Sequence, residues 1–142
     1  MNRHFLIPGL ALVSLLLVIG CATPARAGNS VVHVTANEWN MTTDSSSVQA
    51  GQITLEVVNQ GLAPHEVVLL KTDLATDALK IKANGAEVDE SASGEVMGEV
   101  EDIESGQTKS LTLNLAPGRY VLTCNVLGHY KAGMVTVLEV TK

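Results

Sequence analysis

Four side chains in two parts of the sequence carry donor atoms that suit one soft metal ion. Cys124, His129 and Met134 follow one another at intervals of five residues, and His65 lies far upstream. A thiolate, two imidazoles and a weak thioether hold copper in blue electron-transfer sites, because this mixed set is acceptable to both Cu(I) and Cu(II). The residues therefore predict one type 1 copper ion bound by all four side chains, and a one-electron carrier as the function of the chain.

The cysteine count supports a metal ligand. The chain has two cysteines, and Cys21 lies at the end of an N-terminal apolar run, far from Cys124. If Cys21 is lipidated or removed with a signal, Cys124 is the last thiol of an exported domain and cannot form an internal disulfide. A free thiol, an intermolecular disulfide or a metal bond then remain as its roles.

The N-terminal residues are typical of a secretory signal. The apolar run from Phe5 to Ile19 is shorter than the roughly 20 residues that a membrane-spanning helix needs. Two cleavage sites are open: a lipobox would end the signal peptide at residue 20 and acylate Cys21, whereas ordinary cleavage would follow Ala27. We prefer the lipobox, which predicts an exported lipoprotein, periplasmic or at the cell surface, anchored in the membrane through Cys21.

The rest of the chain is long enough for one domain. A flexible tether is expected at residues 21–30, followed by a copper-binding domain at residues 31–142. The formal net charge is −6, whereas nucleic-acid binding needs a basic footprint, so no nucleic acid is expected as a partner. The expected partners are redox proteins that donate and accept the electron, and the domain is expected to be a monomer.

Acidic residues are concentrated in one part of the domain. Residues 83–104 contain eight acidic side chains and neither lysine nor arginine. This segment is either a solvated loop and edge or a patch that steers a cationic partner. Glu66, directly after His65, also has two interpretations: its carboxylate accepts a hydrogen bond from the opposite ligand loop and tunes the potential, or it points to solvent.

Short stretches with alternating apolar and polar residues run through the domain, separated by turn signals such as Pro117-Gly118. An irregular part is expected at residues 71–106, with a short helix, at Asp73–Lys80, and one more strand inside it. Seven or eight short strands in a chain of this size predict an all-β fold, an antiparallel Greek-key β-sandwich. The predicted strands are 31–36, 48–59, 65–70, 95–100, 108–115, 119–124 and 134–140.

The spacing of the donor residues suits such a scaffold. One strand ends at Cys124 and another starts near Met134, so the loop between them can curl over a single metal ion. Gly128 and Gly133 each precede a proposed ligand and allow backbone dihedrals that other residues avoid. His65 comes from a different strand, so the metal would join two loops at one end of the sandwich.

Three motifs resemble the cupredoxin family, and the length of the last is similar to that of the sulfocyanin, rusticyanin and auracyanin branch. The resemblance implies that His65, Cys124 and His129 lie in the plane of the metal with Met134 axial. It also implies that His129 lies nearest the surface and passes the electron. The motifs are Asn59-x-Gly61-x-x-Pro64-His65-Glu66, Pro117-Gly118-x-Tyr120 and Cys124-x4-His129-x4-Met134. The implied docking patch comprises Leu62, Ala63, Val126, Leu127 and Ala132.

Two other functions are weighed against the electron carrier. A module for copper delivery or storage would use the same ligands but exchange the metal readily. An enzyme is not expected, because four histidines, one of them in the signal, cannot supply the additional copper centres of copper oxidases. Trp39 is predicted to pack in the fold and not to relay electrons.

Overall fold

The computed structural model describes residues 28–142, which fold into two β-sheets packed face to face. The predicted signal peptide, both cleavage sites and Cys21 lie outside these residues. The strands are β1 (Gly28–Asn37), β2 (Asn40–Thr43), β3 (Ser47–Gln49), β4 (Gly51–Asn59), β5 (His65–Lys71), β6 (Glu95–Ile103), β7 (Thr108–Leu115), β8 (Gly118–Thr123) and β9 (Val135–Thr141). The helices are α1 (Glu90–Ser93) and α2 (His129–Ala132).

Within the described residues, the first sheet has the strand order β2-β1-β4-β7 and the second has the order β3-β9-β8-β5-β6. The prediction of an all-β sandwich is therefore confirmed. Neither helix of this part of the chain is long and apolar enough to cross a membrane.

The facing sides of the two sheets form the main core. Along β4, Ile53, Leu55 and Val57 are fully buried whereas Thr54 and Glu56 between them are partly exposed, as the two-residue period of a strand requires. Cys124 and Met134 belong to the same buried cluster. Two of the four predicted metal ligands therefore pack as part of the main core.

The second sheet is buried on both faces around β5. Val67 and Leu69 point into the main core, and Val68 and Leu70 point the other way into a second, smaller core. The predicted strand at 65–70 is thus a central strand, and burial on both faces explains why its apolar run is nearly continuous. The chain between β5 and α1, residues 72–89, covers the outer face and is called the covering segment below.

Two strand pairs are parallel, which differs from the purely antiparallel sheets that were expected. β1 runs parallel to β4, and β3 runs parallel to β9. The predicted strand 48–59 is divided at Ala50, because β3 pairs in the second sheet while β4 pairs in the first. β1 also begins at Gly28, so Gly28–Ser30 of the expected tether pair with β4.

The expected helix at Asp73–Lys80 is wrong, and the short helix of the irregular part is α1 instead. The carbonyl oxygens of Thr72 and Leu74 accept hydrogen bonds from the Arg119 guanidinium, so these two groups are not available to the first turn of a helix. The α1 helix begins where the Asp89 carboxylate accepts a hydrogen bond from the N–H of Ala92 at 3.1 Å, as an N-cap residue does.

Candidate metal centre

Strand pairing alone brings three of the four predicted ligands to one end of the second sheet. β8 is antiparallel to β9, with Thr123 opposite Val135, so Cys124 and Met134 lie next to each other just beyond the paired ends. The N–H of Cys124 donates to the carbonyl oxygen of Met134 at 3.0 Å. β5 flanks β8 on the other side and is antiparallel to it, so its first residue, His65, reaches the same end.

The fourth predicted ligand, His129, is brought to the site by a single helical turn in the loop between β8 and β9. It is the first residue of α2, and its N–H donates to the carbonyl oxygen of Val126 at 2.9 Å. Gly128 and Gly133 flank α2 with φ angles of 85° and 111°, in the left-handed region that side chains disfavour. These two glycines allow the loop to turn inward at His129 and outward again before β9.

The donor atoms of His65, Cys124 and His129 face one another. The two Nδ1 atoms are 3.2 Å apart, and Cys124 Sγ lies 3.8 Å from Nδ1 of His65 and 3.4 Å from Nδ1 of His129. A point equidistant from these atoms is about 2 Å from each, close to the roughly 2.0–2.3 Å of metal–nitrogen and metal–sulfur bonds at comparable sites. The expected cofactor, one type 1 copper ion, fits this triangle. Among residues 28–142, no other group of three His, Cys, Asp or Glu side chains converges in this way.

The site is closed to water on most sides. Cys124 and Met134 are fully buried, and His129, at 8% exposure, is more exposed than His65 at 1%. Burial lowers the pKa of His65, aided by the charge of His129, and burial also lowers the pKa of His129. Burial raises the pKa of the Cys124 thiol, against the opposing effect of backbone N–H groups of Glu66 and Val126. Without metal, the three donor groups are therefore neutral at pH 7.

The loop that leads into His65 is fixed by a buried amide. Asn59 is fully buried, and its Nδ2 donates to the carbonyl oxygens of Ala63 and Ile103, both at 2.8 Å. Its Oδ1 accepts from the N–H of Gly61 at 2.8 Å. Asn59 thus ties the 60–64 loop to β6, and the backbone of the loop has little freedom to move His65.

Glu38, which the sequence did not single out, supports the same loop from the β1–β2 turn. Its carboxylate accepts a hydrogen bond from the N–H of Leu62, and this contact is the main reason why the pKa of Glu38 is lowered. A Cβ atom on Gly61 would lie 3.0 Å from that carboxylate, so the glycine permits the approach. An acidic residue in a short turn carries no signal by which the sequence identifies this contact.

Trp39, next in the same turn, was expected to pack in the fold. It is 62% exposed instead, and the edge of its ring contacts His129, with ring centroids 5.8 Å apart and planes at 76°. Of the implied docking patch, Leu62 is 88% and Leu127 65% exposed. Ala132 is exposed as well, while Ala63 and Val126 are partly buried. A single tryptophan between two polar residues was the one available signal for a surface position.

The carboxylate of Glu66 lies among other acids. It is half-buried, and its pKa is raised by burial first and then by the charges of Glu90, Glu101, Glu99 and Glu87. Four of the eight acidic residues at 83–104 are therefore close enough to Glu66, the residue that follows His65, to affect its charge. His33, which is not one of the predicted ligands, lies on the exposed face of β1, where its Nδ1 is 3.3 Å from the Glu56 carboxylate.

Comparison with known proteins agrees with this geometry. The family model of the sulfocyanin (SoxE) domain matches residues 23–142. No match is found among the curated proteins. Among solved structures, the chain is similar to reduced auracyanin from the photosynthetic bacterium Roseiflexus castenholzii, with 22% identity over 82% of this chain and 100% of that one and a TM-score of 0.60.

Two further solved structures are similar over most of their length. Auracyanin B is 26% identical over 83% of this chain and 93% of that one, with a TM-score of 0.61. Auracyanin A from Chloroflexus aurantiacus, described as a "blue" copper protein, is 20% identical over 78% and 98%, with a TM-score of 0.55. The prediction of a cupredoxin of the sulfocyanin, rusticyanin and auracyanin branch is confirmed. With its fold, its triangle of donor atoms and a family match that covers the whole folded part, the chain belongs to the sulfocyanin (SoxE) family of cupredoxins.

Proposed function

We propose that this protein is an extracytoplasmic blue-copper electron carrier in which His65, Cys124 and His129 would hold the copper ion, with Met134 as a weaker fourth ligand. The observation that carries the proposal is the triangle of one sulfur and two nitrogen atoms, 3.2–3.8 Å apart, around a point that a metal ion would occupy. Bound copper supplies the Cu(II)/Cu(I) couple. Met134 is fully buried, and its carbonyl oxygen accepts from the N–H of Cys124, so its thioether would be the fourth ligand.

The protein's own groups suit a carrier better than a catalyst. Two ring nitrogens and a thiol already converge without metal, so the loops need little rearrangement to accept an ion or to change its charge. The backbone N–H groups of Glu66 and Val126 act to lower the pKa of the Cys124 thiol, against the larger effect of burial, and so favour its thiolate form. The near-complete burial of the donors excludes water and leaves little room for a substrate on the metal.

Electron exchange is proposed to run through His129, the more exposed of the two histidines. The exposed Trp39, Leu62 and Leu127 lie around the two ligand loops and form an apolar surface on which a redox partner can exclude water. The similarity to auracyanin A, a "blue" copper protein, supports the same function.

Visible absorption and paramagnetic resonance of the copper-loaded protein test the proposal. A thiolate ligand gives an intense blue or green Cu(II) form through sulfur-to-copper charge transfer, and this colour should disappear and return on reversible reduction. A colourless Cu(II) complex contradicts the proposal. Rapid loss of copper to a chelator from a coloured protein would instead favour copper delivery or storage.

The location is proposed from the N-terminal sequence, with export as a lipoprotein anchored through Cys21 and with a monomeric domain facing its partners. An intact mass of the membrane-extracted protein tests this, because acylation adds a defined mass to a chain that starts at Cys21. A mature chain starting at Gly28 without added mass would show ordinary cleavage and a soluble carrier.

A further inference from the structure

Asn125, the residue after the proposed ligand Cys124, is buried, and its side chain bonds the ligand loop to residues outside the loop. Asn125 is 5% exposed, and its Oδ1 accepts a hydrogen bond from the N–H of Val88 at 2.6 Å. Its Nδ2 donates to the carbonyl oxygen of Val88 at 3.2 Å and to the Glu90 carboxylate at 2.6 Å. The amide side chain thus pairs with both polar groups of one backbone residue, in the way that a neighbouring strand would.

Two more contacts join the covering segment to the same loop. The N–H of Gly128 donates to the carbonyl oxygen of Ala86 at 3.1 Å, and the N–H of Leu79 donates to the Tyr130 hydroxyl at 3.2 Å. Gly128 and Tyr130 lie immediately before and after His129. Each of the three contacts therefore falls one residue away from a proposed ligand.

The part of the covering segment that makes these contacts is itself well ordered. It folds back as a hairpin at residues 80–89, in which Lys82 bonds to Glu87 at 2.9 Å and Asp89 bonds to Lys80 at 2.8 Å through backbone groups. Leu79 and Val88 are buried in the second core. The hairpin is thus fixed to the sheet independently of any metal, and it supplies none of the three donor atoms of the triangle.

We propose that the 80–89 hairpin, together with Leu79 and Glu90, is a positioning clamp that sets the Cys124–His129 spacing before metal binds, with Asn125 as its central positioning residue. This rests on the proposed function only in that Cys124 and His129 are taken as ligands. The internal backbone hydrogen bonds of the loop join Cys124 to Met134 and stabilise the turn around α2, whereas the Asn125 side chain and the N–H of Gly128 bond to the covering segment. The stretch between Cys124 and His129 is therefore supported partly from outside the loop. Buried amides that are fully paired in this way rigidify their surroundings.

The test compares Asn125→Ala with Asn114→Ala, a control at an exposed position of β7, in the full-length protein. In metal-free protein, amide hydrogen exchange at Cys124, Gly128 and His129 should become about tenfold faster in Asn125→Ala, since one or two buried hydrogen bonds are lost. In copper-loaded protein, the ratio of the two sulfur-to-copper absorption bands and the reduction potential should change, because the Cys124–His129 spacing is no longer held. Asn114→Ala should match the wild type in every measurement.

A milder pair of variants covers the case in which Asn125→Ala does not fold. Glu90→Gln keeps an acceptor for Asn125 and should resemble the wild type, whereas Glu90→Ala should give about threefold faster exchange, the equivalent of a fraction of one hydrogen bond. Unchanged exchange and unchanged band ratios in both Asn125→Ala and Glu90→Ala would overturn the clamp. A colourless wild-type protein would overturn the electron-carrier function but not the clamp, because the exchange measurement needs no copper.

Discussion

The two regions that bring donor atoms to the metal site are built differently. The first supplies only His65, which is part of a central strand and is preceded by a loop tied to β6 by Asn59. The second holds Cys124, His129 and the proposed further ligand Met134 on one loop, which contains a single helical turn and contacts the 80–89 hairpin. The difference suggests that one donor on a strand needs only correct strand pairing, whereas three donors on a loop need a support outside the loop.

The largest effect is expected from Cys124→Ser. A serine oxygen cannot provide the thiolate-to-metal charge transfer, so the blue or green colour should be lost completely while the fold survives. Visible absorption of the copper-treated variant checks the loss of colour, and circular dichroism checks that the fold is retained. A coloured variant would show that the second region does not carry the thiolate ligand.

Asn59→Ala should weaken the first region and mainly affect folding. The N–H of Gly61 and the carbonyl oxygens of Ala63 and Ile103 lose their hydrogen-bond partner, the Asn59 amide. The free energy of unfolding should therefore fall by about 2–4 kcal/mol. Denaturant unfolding of the metal-free protein measures this. Asn125→Ala, with its contacts in the other region, should instead change the copper spectrum, and equal spectral changes in both variants would remove the distinction between the regions.

Copper binding should release about one proton at pH 7.5, since the pKa of the Cys124 thiol is raised and the pKa values of His65 and His129 are lowered. Calorimetry in buffers of different ionisation enthalpy measures this number. In Cys124→Ser the release should fall to almost none. Release of two or more protons would mean that the histidines are charged before metal binds.

The same histidines should make the metal-free protein less stable in mild acid. The unfolded chain takes up protons on both imidazoles as the pH falls below 6.5, whereas the folded site takes them up only at lower pH, so stability is lost as the pH decreases through this window. The pKa values of Glu66 and Glu99 are raised above 4.5, chiefly by burial. These two carboxyl groups therefore have the opposite effect, and stability is gained as the pH falls through their pKa values. Denaturant unfolding between pH 7.5 and 5.5 checks the histidine effect, which should be smaller in His129→Gln.

The smallest change is expected from Met134→Leu. Leucine has a similar volume and suits the buried position, so stability should change by less than about 1.5 kcal/mol. Copper should be retained by the three equatorial donors, and the reduction potential should rise because the weak thioether ligand is lost. Voltammetry of the two proteins measures the difference, and an unchanged potential would argue against an axial role for Met134.

Residue types and spacing predicted the sandwich and the three side chains whose donor atoms converge, and the resemblance of the motifs predicted the cupredoxin family. They predicted the strands found as β4 and β5 because burial on one or both faces of a strand leaves a direct pattern of apolar residues in the sequence. They were not sufficient to predict the conformation of the 72–89 segment. There Arg119 donates hydrogen bonds to the carbonyl oxygens of Thr72 and Leu74, and no helix forms at 73–80. The exposed position of Trp39 was missed for a related reason, since a turn residue can pack inward or outward without a change in local pattern.

The sequence by itself determined which atoms are available to a metal ion, since the five-residue spacing of Cys124, His129 and Met134 and the upstream His65 are properties of the chain. Only the tertiary structure decided how those atoms are held. Val88 and Ala86 lie about forty residues from the groups they bond in the ligand loop, and no local pattern encodes such a contact. Hydrogen bonds between distant segments depend on how the covering segment packs on the sheet, which is settled only when both have folded.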